Sequence, residues 1–151
     1  MVWNVAVENQ KIKLVTKKRS CPNDPAADPQ SVVDAFWAQH ESLDAEDGGD
    51  GGEKVPAWLR KFADERVLGV LGGIAEIDAA LAPLMENWDI SRLGTVERAV
   101  LRLGAWELRS TDIPRGVVIN EAVDLVNWFS SPRSRSLVNG VLDKYAKSLK
   151  R

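Results

Sequence analysis

A chain of 151 residues is long enough for one domain with a real core, and too short for a catalytic domain plus a separate accessory one. Its 44% hydrophobic and 28% charged content is ordinary for a globular protein, and with no apolar run near about 20 residues and no signal-peptide core it is expected to be cytoplasmic with no membrane partner. The net charge of −2 hides a segregation: residues 1–20 sum to +4, residues 23–53 to −9 and residues 92–151 to +5, so a local polyanion site is compatible with the negative total.

Residues 1–28 read as an irregular basic segment. "VWNVAVE" is followed by Lys17, Lys18 and Arg19, and then by "CPNDPAADP", whose prolines rule out a continuous helix from Cys21 to Pro29. Cys21 is the only cysteine and closes no intrachain disulfide, which fits a reducing compartment. Periodicity resumes at Ser31: Val32, Val33, Phe36 and Trp37 share one helical face, and the spacing predicts a short helix ending near His40. Residues 41–54, "ESLDAEDGGDGGEK", cannot bury a core and are expected to form a flexible acidic loop.

Pro56 opens the next helix, in which Val67, Val70, Leu71, Ile74, Ile77, Leu81 and Leu84 keep helical spacing, loosened at Gly72-Gly73. After a connector from Trp88 to Leu93, Thr95 is expected to cap a helix running through Arg109, which stops before Pro114. Ile119, Ala122, Val123, Val126 and Phe129 mark a further apolar face, with Trp128 opposite it. Ser131 and Pro132 then cap and open a last helix carrying Leu137, Val138, Val141, Leu142, Tyr145 and Leu149. The predicted fold is all-α, a compact helical bundle.

Catalytic chemistry is scarce. His40 is the only histidine, no Cys/His spacing suits zinc, and neither a phosphate loop nor a dinucleotide fingerprint is present. "DAEDGGDGGE" lacks the ligand alternation of a calcium loop. No enzymatic activity, metal or cofactor is expected. Binding chemistry is better represented: Arg98, Arg102 and Arg109 fall within about 40° on the helical wheel, a stripe able to grip phosphates. Glu107 projects into the apolar arc of the same helix and needs a partner, either backbone N–H groups or a nearby arginine, so it is assigned a structural role. In "RSLVNGVLDK", Asn139-Gly140 resembles a turn signal set inside a helix. Gly140 is read as a packing device admitting another backbone, and Asn139 as a hydrogen-bonding group beside it. Trp128 is the tryptophan expected to be exposed; Trp37 and most of the others are expected to be buried.

"GTVERAVLRLGAWEL", "DIPRGVVINEAVDL" and "RSLVNGVLDKYA" closely resemble, in order and spacing, the C-terminal half of the NusB family of transcription antitermination factors. The resemblance is strong from Trp88 to Tyr145 and extends through the long helix from Phe62. It implies a NusB-like fold of two small helical subdomains, here expected at residues 29–87 and 88–151. It also implies binding of single-stranded boxA RNA of ribosomal RNA leaders together with the small ribosomal protein NusE, within the RNA polymerase antitermination complex. By position, Glu97 matches a family residue facing NusE, and Arg133 and Leu137 match positions near RNA and partner. The candidate RNA-binding residues are therefore Lys17, Lys18, Arg19, Arg98, Arg102, Arg133, Arg135 and Leu137. Glu97, Arg115 and Trp128 are partner candidates, and Glu107, Asn120, Asn139 and Gly140 are structural. The family's opening arginine-rich helix has no match before Pro29, and Arg133 and Leu137 stand where the family often has an acid and an aromatic ring. Two alternatives are an RNA-binding accessory domain related to rRNA cytosine methyltransferases, and a protein-only helical adaptor that has lost RNA binding.

Overall fold

A computed structural model describes residues 28–46, 55–86, 89–129 and 131–149. Among them are six α-helices and no strand: α1 (Pro29–Glu46), α2 (Ala57–Gly72), α3 (Ile74–Leu81), α4 (Thr95–Ser110), α5 (Arg115–Phe129) and α6 (Pro132–Ser148), with 3-10 turns at Ala82–Leu84 and Ile90–Arg92. The fold is all-α. No single helix among the described residues is long and apolar enough to cross a membrane.

The central element is α4, which packs against α2, α3, α5 and α6. Its sequence dictates that position, because Val100, Leu101, Gly104, Ala105, Trp106, Glu107 and Leu108 are all buried and leave only a narrow polar edge. Around it the main core gathers Ile77, Leu81 and Met85 with Val118, Ala122 and Val126 of α5 and Val138, Val141, Leu142 and Tyr145 of α6. Two glycines let this core close. A methyl group on Gly69 would run into the Trp106 ring, and one on Gly104 would lie 2.8 Å from Leu142 Cδ1, so α2 and α6 approach α4 through glycine faces.

The buried apolar side chains of the first helix pair, Val33, Trp37 and Leu59, stand outside that cluster. Trp37 is held there by its Nε1–H, which donates to Asp64 Oδ1 at 2.6 Å, and by the Arg60 guanidinium, 4.8 Å from its ring centroid. Ile77, Leu81 and Met85, from the first expected subdomain, belong to the main core.

Several local expectations are corrected. The first helix continues to Glu46, past His40 and into the stretch read as loop. It starts at Pro29, with Ser31 N–H donating to Asp28 Oδ2 at 3.2 Å. Phe36 is exposed although it shares the Val33 face, and its ring meets Trp37 edge-on. Val67 and Trp58 are also exposed. The long helix is two helices whose axes differ by 72°, broken at Gly73, whose N–H closes on Val70 O at 3.1 Å. Thr95 is the first helical residue and Gly94 is the cap, without a side-chain bond. The last helix begins as expected: Ser131 Oγ accepts from Ser134 N–H at 3.3 Å, and Pro132 occupies the first turn.

Candidate nucleic-acid interface

The junction between α5 and α6 concentrates exposed binding chemistry. Where α5 ends, Trp128 is 70% and Phe129 39% exposed, and the first turn of α6 presents Arg133 and Arg135 to solvent. Phe129 shares the apolar face of its helix in the sequence pattern, yet it is not covered. Val126, one turn earlier on the same face, is fully buried. Planar rings beside guanidinium groups suit single-stranded nucleic acid, since the rings can stack bases and the cations can meet phosphates.

The start of α4 meets this junction. Glu97 Oε1 accepts a hydrogen bond from Ser134 Oγ at 2.7 Å, joining the first turns of α4 and α6. Arg98 lies half-buried beside it. Leu137, one turn into α6, is half-buried and packs against the main core, so its position near RNA or partner is a shoulder of the core and not an open side chain. Ser134 is a site residue that sequence reasoning does not single out. Its contribution to the cap is legible in the Ser-Pro-Arg-Ser run, but its bond to a helix 37 residues away is not.

Two arginines of the α4 stripe are paired with acids. Arg102 donates to both carboxylate oxygens of Asp78 on α3, at 2.8 and 2.7 Å, and Arg109 pairs with Glu76 on the same helix at 3.2 Å. The helical wheel aligns these arginines correctly, but it carries no information that α3 lays its acids along them. Arg115, at the start of α5, donates from Nη2 to the Leu149 carbonyl at 3.3 Å, tying that helix to the end of α6. Lys17, Lys18 and Arg19 lie outside the described residues.

Glu107 is 1% exposed and accepts from Arg66 Nε at 2.7 Å, while the same guanidinium reaches back to the Phe62 carbonyl and lies over the Phe62 ring. Burial pushes the Glu107 carboxyl above its usual range; the Arg66 hydrogen bond and charge oppose this, and Glu121 adds to the rise. The structural readings of Asn120, Asn139 and Gly140 find no support in the geometry. Both asparagine side chains are exposed, with no hydrogen bond among the described residues, and a methyl group on Gly140 would meet nothing within 4 Å. The helices approach at Gly69 and Gly104 instead.

Among the described residues no group of three or more His, Cys, Asp or Glu is placed to hold a metal ion. Fold and surface together define a small all-α bundle that presents arginine and aromatic side chains at one helix junction. The chain belongs to the NusB family, whose model matches residues 34–147. It is 45% identical over 93 residues to the transcription antitermination protein NusB of Sorangium cellulosum, covering 61% of this chain and 66% of that protein. To the NusB of Nitratiruptor sp. it is 42% identical over 98 residues, covering 65% and 70%. A solved structure of T. maritima NusB superposes with a TM-score of 0.60 at 30% identity, over 79% of this chain and 84% of that one. The matched segments thus span about two thirds of the curated relatives' own length.

Proposed function

We propose that this protein is a transcription antitermination factor of ribosomal RNA operons, which binds single-stranded boxA-type RNA together with the small ribosomal protein NusE as part of the RNA polymerase antitermination complex. The observation that carries the reading is the α5–α6 junction, where Trp128 and Phe129 stand exposed within a few residues of exposed Arg133 and Arg135. Membership of a family whose relatives bear the name transcription antitermination protein supports it. The residues act by binding alone: guanidinium groups neutralise phosphates, rings offer stacking faces, and no bond to the RNA is made or broken.

The test is fluorescence anisotropy of a boxA-type oligoribonucleotide and a scrambled control, with and without NusE, over a salt series. Tighter binding of the boxA sequence in the presence of NusE, weakening steeply with salt, is the expected result. No complex with NusE and no preference over the scrambled strand overturns the reading. A protein-only adaptor is the second reading, favoured by the pairing of Arg102 and Arg109 with Asp78 and Glu76, which sets a carboxylate against each of two cations of the α4 stripe. In that case NusE binds and RNA does not.

A further inference from the structure

Glu97 sits in the first turn of α4, behind the glycine cap Gly94. Its carboxylate folds back over that cap so closely that a methyl group on Gly94 would collide with Oε2. The other oxygen accepts from Ser134 Oγ, whose own oxygen is 3.1 Å from Ser131 Oγ, the side chain that caps α6. One carboxylate therefore lies between two helix starts, where unpaired N–H groups leave partial positive charge that stabilises an anion. Ser134 stands between Arg133 and Arg135 in the chain. On a helix, fixing one residue of the first turn fixes the directions in which its neighbours project, about 100° to either side.

We propose that Glu97 is a positioning residue for RNA binding: through Ser134 it anchors the first turn of α6 and so sets the direction in which Arg133 and Arg135 meet phosphate. This rests on the RNA-binding reading above. It differs from a direct role of Glu97 at the partner surface, because what matters is an acceptor for Ser134 and not a negative charge. Glutamine keeps the acceptor and loses the charge, which makes the two roles separable.

The experiment compares wild type, E97A, E97Q, S134A and the E97A/S134A pair in two measurements: anisotropy with a single-stranded boxA-type oligoribonucleotide, and amide hydrogen exchange from Ser134 to Leu137 in the free protein. E97A and S134A are expected each to weaken RNA binding about three- to tenfold, the range of one ordinary intramolecular hydrogen bond. The double variant weakens it no further, since both changes break the same bond. E97Q binds like wild type, and exchange at the start of α6 quickens in E97A and S134A alone. Two results overturn the inference: S134A binding normally while E97A and E97Q both bind more weakly, which makes the carboxylate a direct contact, or exchange at the start of α6 unchanged in E97A and S134A. Wild-type protein that binds no RNA even with NusE present overturns the RNA reading instead, and the exchange measurement still decides whether Glu97 holds α6.

Discussion

Arg66 Nε donates to Glu107 Oε1 at 2.7 Å across 41 residues of sequence, and the two side chains are 10% and 1% exposed. This pair crosses from α2 to α4 at the point where the outer helices meet the main core. No other buried carboxylate is found among the described residues. We predict that E107A lowers unfolding free energy by about 3–5 kcal/mol, because truncation leaves the Arg66 guanidinium buried without its counter-ion. Replacement of both residues by apolar ones of similar volume should restore much of the stability. Urea denaturation of the single and double variants measures both effects. An E107A midpoint equal to wild type would mean that the pair does not hold the fold.

The same carboxyl sets a pH dependence with a defined sign. Burial raises the Glu107 pKa in the folded state, so the native protein holds this proton more tightly than the unfolded chain does. Its contribution is therefore fully present below the ordinary glutamate range and is lost as pH rises from that range through the raised folded value. E107Q cannot titrate. The stability difference, wild type minus E107Q, should shrink with rising pH across that window and stay constant above it. Glu86, lowered by the Lys144 hydrogen bond, and Asp89, lowered by the Ser91 N–H, contribute with the opposite sign, and they cancel in the comparison because both proteins contain them. Thermal melts at a series of pH values give the curve.

Glycines inside the helices should respond in opposite directions to alanine. At Gly140 nothing lies within 4 Å of the added carbon, so G140A is expected to raise stability by about 0.5–1 kcal/mol through helix propensity. At Gly104 the methyl group must displace Leu142, itself fully buried, and G104A is expected to lower stability by about 1–3 kcal/mol. Differential scanning calorimetry of the two variants tests the assignment of packing to Gly104 and not to Gly140. A stabilised G104A would contradict it.

RNA binding should separate the exposed arginines at the start of α6 from Arg102, which is half-buried against Asp78. Exchanging Arg133 and Arg135 together for alanine should weaken binding across sequences and reduce the salt slope by about one unit for each phosphate that is no longer neutralised. R102A should leave the salt slope unchanged, since its guanidinium is occupied by Asp78, and should instead lower the melting temperature. Equal slopes for R102A and the double variant would mean that the Asp78 pair opens on binding.

An all-helical bundle is legible in the sequence because 3.6-residue apolar periodicity is a local property of the chain. Ala122, Val126, Val138 and Leu142 are buried for reasons already present in their spacing, and the Ser131-Pro132 start of α6 is a local hydrogen-bond preference. The need of Glu107 for a partner is equally visible, because a carboxylate inside an apolar arc has no other low-energy arrangement. Which group answers it is not: Arg66 lies 41 residues away, and only the packing of α2 on α4 brings it there. Tertiary structure likewise decides that α3 neutralises Arg102 and Arg109, that Glu97 holds Ser134, and that Gly69 and Gly104, not Gly140, are the points of close approach. Periodicity fixes which face of a helix is buried, whereas the identity of the neighbour on that face depends on chain topology, and topology is set by the sum of long-range contacts that no local window contains.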